Sequence, residues 1–242
     1  AKADVRTQNA SGVLGQLWLV LNPLFMAAIY YMLVVIVSGG RQKGADYLAH
    51  LIAGLFAYHF VSGAMSGGAR SIVGYGKLIA NHSFPRLLLP LAAINVSLRK
   101  FLPTLVVYLG FHAVLGLPFS PVQLMAIPAF LILMVFGFGL ACLFATLQVY
   151  FRDTRSFLPY VTRVWMYTSP VLFFAQDAKS ILRGVMPFNP LFSLLTTWSD
   201  ALVRGQISSV GTWLMALGWA FAMALLGTYV FLTRERDFSV RI

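Results

Sequence analysis

Long apolar runs separated by short polar stretches set the pattern of the chain. Six runs reach the length, about 20 residues, that an α-helix needs to cross a hydrocarbon core roughly 30 Å thick. They cover residues 17–37, 47–66, 87–117, 122–150, 157–175 and 207–232. The pattern predicts an all-α fold: a single polytopic membrane domain over residues 1–242 with six transmembrane helices.

One further apolar stretch, 181–203, is interrupted by the sequence MPFNP, so each half is too short to cross a membrane. We interpret it as a re-entrant or interfacial helical hairpin on the extracytoplasmic side, in which Asn189 caps the second helix and Pro190 takes its first position. Non-helical backbone at that depth requires surrounding protein or a water-filled cavity.

The segment 77–90, KLIANHSFPRLLLP, mixes apolar Phe84 with hydrated Lys77 and Arg86, and Pro85 stops a continuing helix. Two interpretations stay open. The segment forms a short amphipathic helix that lies in the cytoplasmic interface and presents a rigid knob to a soluble partner, or it is a surface loop.

Glycines accompany the end of the second run. Gly63 and Gly67 form a G-x-x-x-G pair, a spacing that lets helices approach closely. The pair indicates close packing, either within the protomer or across a dimer.

Composition supports the membrane assignment. Hydrophobic residues make up 59% of the chain and charged residues only 10%, against about 25% charged in soluble domains. The net charge of +11 is typical of cytoplasmic loops and contact with anionic headgroups, and we expect no nucleic-acid partner. With both termini in the cytoplasm, thirteen of the 18 Lys and Arg residues face inward, as the positive-inside rule requires.

Residues that carry enzyme chemistry are sparse. The seven acidic residues fall in loops, interfaces or tails, and the four histidines are scattered. The sequence GYGKL at 74–78 lacks the other positions of a phosphate-binding loop. We therefore expect no catalytic residue, metal or cofactor in this chain, and ATP and Mg²⁺, if used, on a partner subunit.

The charged corner FRDTRS follows the fourth run and contains Arg152, Asp153 and Arg155. As a cytoplasmic turn it keeps the arginines hydrated, and Asp153 or Ser156 can cap the next helix. The helix predicted after it has an aromatic face of four residues, Phe157, Tyr160, Tyr167 and Phe174. Such a face packs against other helices, or it lines a pore along which sugars slide on the ring faces.

The sequence resembles a known family in four blocks that occur in order along nearly the whole chain. These blocks are LGQLWLVLNPL at 14–24, FPRLLLPL at 84–91, VYFRDTRSFLPYVTRVWMYTSPVLF at 149–173 and NPL at 189–191. They are similar to signatures of ABC-2 type transmembrane (permease) subunits, in particular those that export O-antigen, teichoic acid, capsule or mycobacterial-type galactan.

The resemblance implies an assembly and a location. The chain would form a homodimer, bind two copies of an ATPase subunit and move a polyprenyl-pyrophosphate-linked polysaccharide out of the cytoplasm. It would lie in the bacterial cytoplasmic membrane, with an N-terminal interface segment over 1–16 and a cytoplasmic tail over 233–242.

The resemblance also implies roles for particular residues. The segment 77–86 would be the coupling helix that docks on the ATPase, with Lys77, Phe84, Pro85 and Arg86 in contact. The hairpin 181–203 would form the extracytoplasmic gate, with Asn189, Pro190 and Trp198. The channel would be lined by the aromatic face, with Tyr30 and Tyr31 as further candidates.

In such a machine the corner residues Arg152, Asp153 and Arg155 would anchor a hinge, and the arginines would attract the pyrophosphate of the entering lipid. The alternative is that they serve topology and helix capping alone. Two other functions stay open: an ABC-2 exporter of drugs or small lipids, and a membrane-embedded sugar-processing enzyme.

Overall fold

A computed structural model describes residues 17–37, 44–76, 84–175 and 186–238. Every regular element in these ranges is helical, which confirms the all-α fold. The α-helices are α1 (Trp18–Val37), α2 (Ala45–Val73), α3 (Leu88–Val114), α4 (Ala126–Tyr150), α5 (Thr154–Tyr167), α6 (Pro190–Leu202) and α7 (Val210–Arg234). Short 3-10 turns lie at Pro121–Met125, Met186–Phe188 and Glu235–Asp237.

Helix α2 is the core of the bundle. In its most apolar stretch 78% of the residues are buried, against 28% in α3 and 22% in α7. The outer helices instead expose large apolar side chains, such as Val106 of α3 and Leu225 of α7. An apolar surface of this extent requires lipid or another protein chain around it.

Four stretches of the described residues are long and apolar enough to cross a membrane: Ala45–Val73, Leu88–Val114, Pro121–Tyr150 and Val210–Asp237. Helix α1 has a shorter apolar stretch, Val20–Ile36, and α5 has only 14 residues. The count of six crossings therefore stays a prediction. So does the re-entrant hairpin, because 181–185 lie outside the described residues.

Glycines bring three helices into close contact. A Cβ atom at Gly68 of α2 would overlap the backbone of Ala141 in α4, and one at Gly227 of α7 would overlap the backbone of Gly139 in α4. The predicted pair Gly63 and Gly67 faces α3, where a Cβ would lie 3.2 Å from Ser97 Oγ and from Ala93 Cβ respectively. The pair thus packs within the protomer.

The second run ends later than predicted. The apolar run predicts an end near Ser66, but α2 continues to Val73. The reason is tertiary packing: Gly67 meets α3 and Gly68 meets α4, so residues with weak helical preference are held helical by their neighbours.

The fifth run is also corrected, since it is helical only as far as Tyr167. Ser169 precedes Pro170, and a residue in that position disfavours helical backbone. The chain nevertheless continues along α2, where the Tyr47 hydroxyl donates a hydrogen bond to the Leu172 carbonyl at 2.8 Å. In this irregular stretch Val171 is fully buried, and Leu172 and Phe173 are half-buried.

The bundle has two ends. The tail end contains the last residues of α2, α4 and α7 and the residues that precede α3, with Ile72, Val149, Phe231 and Phe84 in one apolar cluster. The opposite end, which we name the gate end, contains the start of α2 and the whole of α6, joined by a contact between His50 Nδ1 and Ser199 Oγ at 2.5 Å.

Candidate functional site

The predicted coupling segment is described in part. Lys77 and residues 78–83 lie outside the described residues. Phe84 is half-buried against the apolar cluster at the tail end, Pro85 is exposed, and Arg86 is half-buried. The Arg86 guanidinium donates a hydrogen bond to the backbone carbonyl of Glu235, beyond the end of α7.

The charged corner is held by its backbone. The amide groups of Ser156 and Phe157 donate to the Asp153 carbonyl at 2.8 and 3.3 Å, and Gln148 Nε2 donates to the Arg152 carbonyl at 2.8 Å. Asp153 occupies the N-cap position of α5, but its side chain makes no capping bond, so the predicted capping role of Asp153 is wrong. Arg152, Asp153 and Arg155 all remain exposed, at the tail end, where a charged ligand could reach them.

Periodicity predicts four aromatic residues on one face of α5, and three of them are exposed on that helix. Phe157 is 44%, Tyr160 69% and Tyr167 47% exposed. We name these three residues the aromatic face. Helix α1 borders it, because the Tyr30 and Tyr167 hydroxyls lie 3.3 Å apart and their rings meet edge to face at 6.1 Å.

Tyr31, the other candidate on α1, points elsewhere. Its ring stacks on that of Tyr47 in α2, with 6.1 Å between the centroids. Within the protomer it therefore packs α1 against the start of α2 at the gate end.

Phe174 does not belong to the aromatic face, which corrects the prediction of four aromatics on one helix. It lies beyond the end of α5, with its ring 4.3 Å from the His50 ring. The Arg204 guanidinium lies 4.4 Å from the centroid of the same ring, a cation–π distance. Arg204 in turn forms an ion pair with Asp200 at 3.6 Å.

His50 joins three elements at the gate end, a role that sequence reasoning missed. Its Nε2 lies 3.1 Å from the Phe173 carbonyl, which can only accept, so this nitrogen carries the hydrogen. Its Nδ1 contacts Ser199 of α6. Histidine scattered through an apolar sequence carries no signal of such a contact, because the partners are 123 and 149 positions away along the chain.

Asn189 caps α6, as predicted, and its side chain also forms hydrogen bonds with residues at the end of α5. Its Oδ1 accepts from the Leu191 amide at 3.1 Å and from the Trp165 indole at 2.8 Å. Its Nδ2 donates to the Thr168 carbonyl and to Ser169 Oγ, both at 3.0 Å. The start of α6 is thereby tied to the end of α5.

Pro190 takes the first position of α6, as predicted. Trp198 is buried deep in the bundle, where its indole donates to the Ala53 carbonyl at 3.1 Å and its ring meets Phe101 and Phe130. It anchors α6 to the core in this protomer.

Asn189→Ala is expected to lower the free energy of unfolding by about 2 kcal/mol, because it removes a helix cap and leaves the half-buried Trp165 indole without its acceptor. Thermal unfolding in detergent measures the effect. Asn95→Ala is the matched control, since Asn95 is exposed on α3 and bonds only to Arg99 of the same helix among the contacts described. Equal melting temperatures for the two variants would contradict the joint between α5 and α6.

Comparison with known proteins finds similar export permeases. No protein-family model matches the chain. Two O-antigen export system permease proteins RfbA of Klebsiella pneumoniae are each 29% identical to it over 206 residues, which cover 85% of this chain and 79% of the relative. The O-antigen export system permease protein RfbA of Myxococcus xanthus is 26% identical over 248 residues, covering 99% of this chain and 92% of the relative.

The similarity extends over most of both sequences, and the four long apolar helices fit a multi-pass membrane protein. It agrees with the resemblance that the blocks at 14–24, 84–91, 149–173 and 189–191 carry. The comparisons therefore support a permease of a polysaccharide export system.

Proposed function

We propose that this chain is the channel-forming subunit of an ATP-driven ABC-2 type exporter, which moves polyprenyl-pyrophosphate-linked polysaccharide from the cytoplasmic to the outer face of a bacterial cytoplasmic membrane. The observation that carries the proposal is the aromatic face. Its rings are exposed in the protomer and lie along a helix that follows the charged corner. Ring faces attract the apolar C–H side of a sugar weakly, which suits a polymer that must keep moving.

The proposal assigns an assembly. Two copies of the chain enclose the channel between their aromatic faces, each with six crossings and both termini in the cytoplasm. Two ATPase subunits, which bind ATP and Mg²⁺, dock on residues 77–86. The relatives are named as permeases of export systems, and a permease without its own phosphate-binding loop requires such a partner.

The polysaccharide enters and leaves the channel at opposite ends of the helix bundle. The tail end, with Arg152 and Arg155, faces the cytoplasm and receives the pyrophosphate. The gate end, with hairpin 181–203, faces outward and opens for the polymer. The joint between α5 and α6 at Asn189 supports this role, because a movement of α5 reaches the gate helix directly.

Export in proteoliposomes tests the proposal. The chain is reconstituted with its ATPase subunit and a polyprenyl-pyrophosphate glycan, and glycan that becomes accessible on the far side is measured with and without ATP. ATP-dependent transfer is expected. Transfer of a drug or a short lipid but not the glycan would favour the small-substrate exporter, and chemical change of the glycan would favour the enzyme.

Arg152→Ala and Arg155→Ala are expected to lower export about three- to tenfold at limiting glycan concentration, because each removes a charge-assisted contact with the pyrophosphate. Saturating glycan should restore most of the rate. The matched control is Arg99→Ala, which removes an exposed arginine of α3. If both corner variants export at the wild-type rate, then Arg152 and Arg155 serve membrane topology alone and do not bind the pyrophosphate.

A further inference from the structure

The residues after α7 fold back onto the tail end. The 3-10 turn Glu235–Asp237 follows the helix directly and belongs to the predicted polar tail. Phe238 after it is buried, whereas Thr233, Arg234 and Arg236 are exposed. Residues 239–242 lie outside the described residues. Two polar contacts hold the turn: the Arg86 guanidinium donates to the Glu235 carbonyl, and the Tyr150 hydroxyl donates to Asp237 Oδ2 at 2.8 Å. We name Arg86, Tyr150, Glu235, Asp237 and Phe238 the tail clamp.

Apolar packing supports the same arrangement. Phe238 is fully buried, and its ring meets that of Phe231 edge to face at 5.2 Å. Both belong to the cluster that contains Ile72 of α2, Val149 of α4 and the half-buried Phe84. A turn that merely ended α7 in water would not bury its only aromatic ring among three other elements.

The two polar contacts bind different parts of the molecule. Arg86 belongs to the segment predicted to meet the ATPase, whereas Tyr150 is the last residue of α4, directly before the charged corner and α5. The turn between them is continuous with α7. The Arg234 guanidinium, at the end of α7, also lies 5.7 Å from the centroid of the Tyr150 ring.

Helices α4 and α7 pack backbone against backbone, because a Cβ atom at Gly227 would overlap the Gly139 backbone. A displacement of Arg86 that pulls on Glu235 therefore moves α7 and α4 together. The movement then reaches α5 through the short corner after Tyr150.

We infer that the tail clamp transmits the movement of the coupling segment to α4 and α7, and that Tyr150 and Asp237 are positioning residues for export. The inference rests on the proposed function, since it needs an ATPase subunit that acts on residues 77–86. It adds that the turn after α7 takes part in transmitting the movement, which neither the sequence blocks nor the relatives' names indicate.

The test separates ATP hydrolysis from export. Tyr150→Phe removes the hydroxyl and keeps the ring, and Asp237→Ala removes the acceptor. In proteoliposomes with the ATPase subunit we expect each variant to move about three- to tenfold less glycan per ATP hydrolysed, with the ATPase rate within about twofold of wild type. The double variant should be no worse than either single variant, because both remove the same hydrogen bond.

Two controls keep a loss of structure apart from a loss of coupling. Asp237→Asn retains a side-chain oxygen that accepts from Tyr150, so its export per ATP should stay near wild type. Tyr229→Phe makes the same change as Tyr150→Phe at an exposed tyrosine of α7 and should have no effect. All variants are compared for co-purification with the ATPase subunit.

The outcomes are distinct. No ATP-dependent export by the wild-type complex overturns the proposed function and the clamp with it. If the wild-type complex exports glycan, but Tyr150→Phe and Asp237→Ala move as much glycan per ATP hydrolysed as wild type, then the tail clamp alone is overturned. If the glycan moved per ATP hydrolysed falls equally in Asp237→Asn and Asp237→Ala, then the charge of Asp237 causes the effect, and the hydrogen-bonded clamp is also overturned.

Discussion

Replacing Tyr160 and Tyr167 together by alanine is expected to lower glycan export about tenfold, because both exposed rings would lose their apolar contact with the passing sugar. Both side chains are exposed in the protomer, at 69% and 47%, so the fold should survive their loss. Export in proteoliposomes, normalised to the amount of folded protein, measures the effect.

Two variants sharpen this experiment. Tyr229→Ala removes a tyrosine that is 70% exposed on α7, and export should stay near wild type, since our proposal lines the channel with α5 and not with α7. Tyr167→Phe keeps the ring and removes the contact between the Tyr30 and Tyr167 hydroxyls, so it should retain export. An equal loss in Tyr229→Ala and in the double variant would contradict a channel lined by α5.

Gly227→Ala is expected to lower the free energy of unfolding by about 3 kcal/mol, which is a large effect for a single methyl group. The added Cβ atom would overlap the Gly139 backbone, and neither helix can move aside without separating α4 from α7. The melting temperature in detergent and the yield of folded protein report the change.

The same helix offers the control. A Cβ atom at Gly218 has no heavy atom within 4 Å, so Gly218→Ala should be neutral, or stabilising by up to about 1 kcal/mol through helix propensity. If Gly227→Ala melts at the same temperature as Gly218→Ala, then the close approach of α4 and α7 is not a feature of the folded protein.

Much of the fold could be predicted from hydrophobicity because a chain in lipid must satisfy its backbone hydrogen bonds within each helix. Long apolar runs therefore indicate helices directly, and α1, α3, α4 and α7 lie where their runs predicted. The ends of α2 and α5 could not be predicted in this way. Gly67 and Gly68 are helical because of neighbours that are distant in sequence, and the turn at Pro170 interrupts a run that stays apolar to Ala175.

The candidate site could likewise be predicted only in part from the sequence. The spacing of Phe157, Tyr160 and Tyr167 on one helix indicated a shared face, and the structure leaves that face exposed. Phe174 has the spacing to join them but lies beyond the helix, where His50 and Arg204 hold it. Periodicity predicts a face only while the helix continues.

From the sequence we could predict a helical, apolar chain, the segments long enough to cross a membrane, the start of α6, and a resemblance to ABC-2 type permeases. Each of these depends on neighbours along the chain: the length of an apolar run, a cap beside a proline, or an ordered set of short blocks. The folded structure was needed to show that His50 joins α2 to α6, that Asn189 ties α5 to α6, and that the turn after α7 closes on Arg86 and Tyr150. Those contacts join residues far apart in sequence, and polar side chains of these types carry no mark of their partner until packing brings the two together.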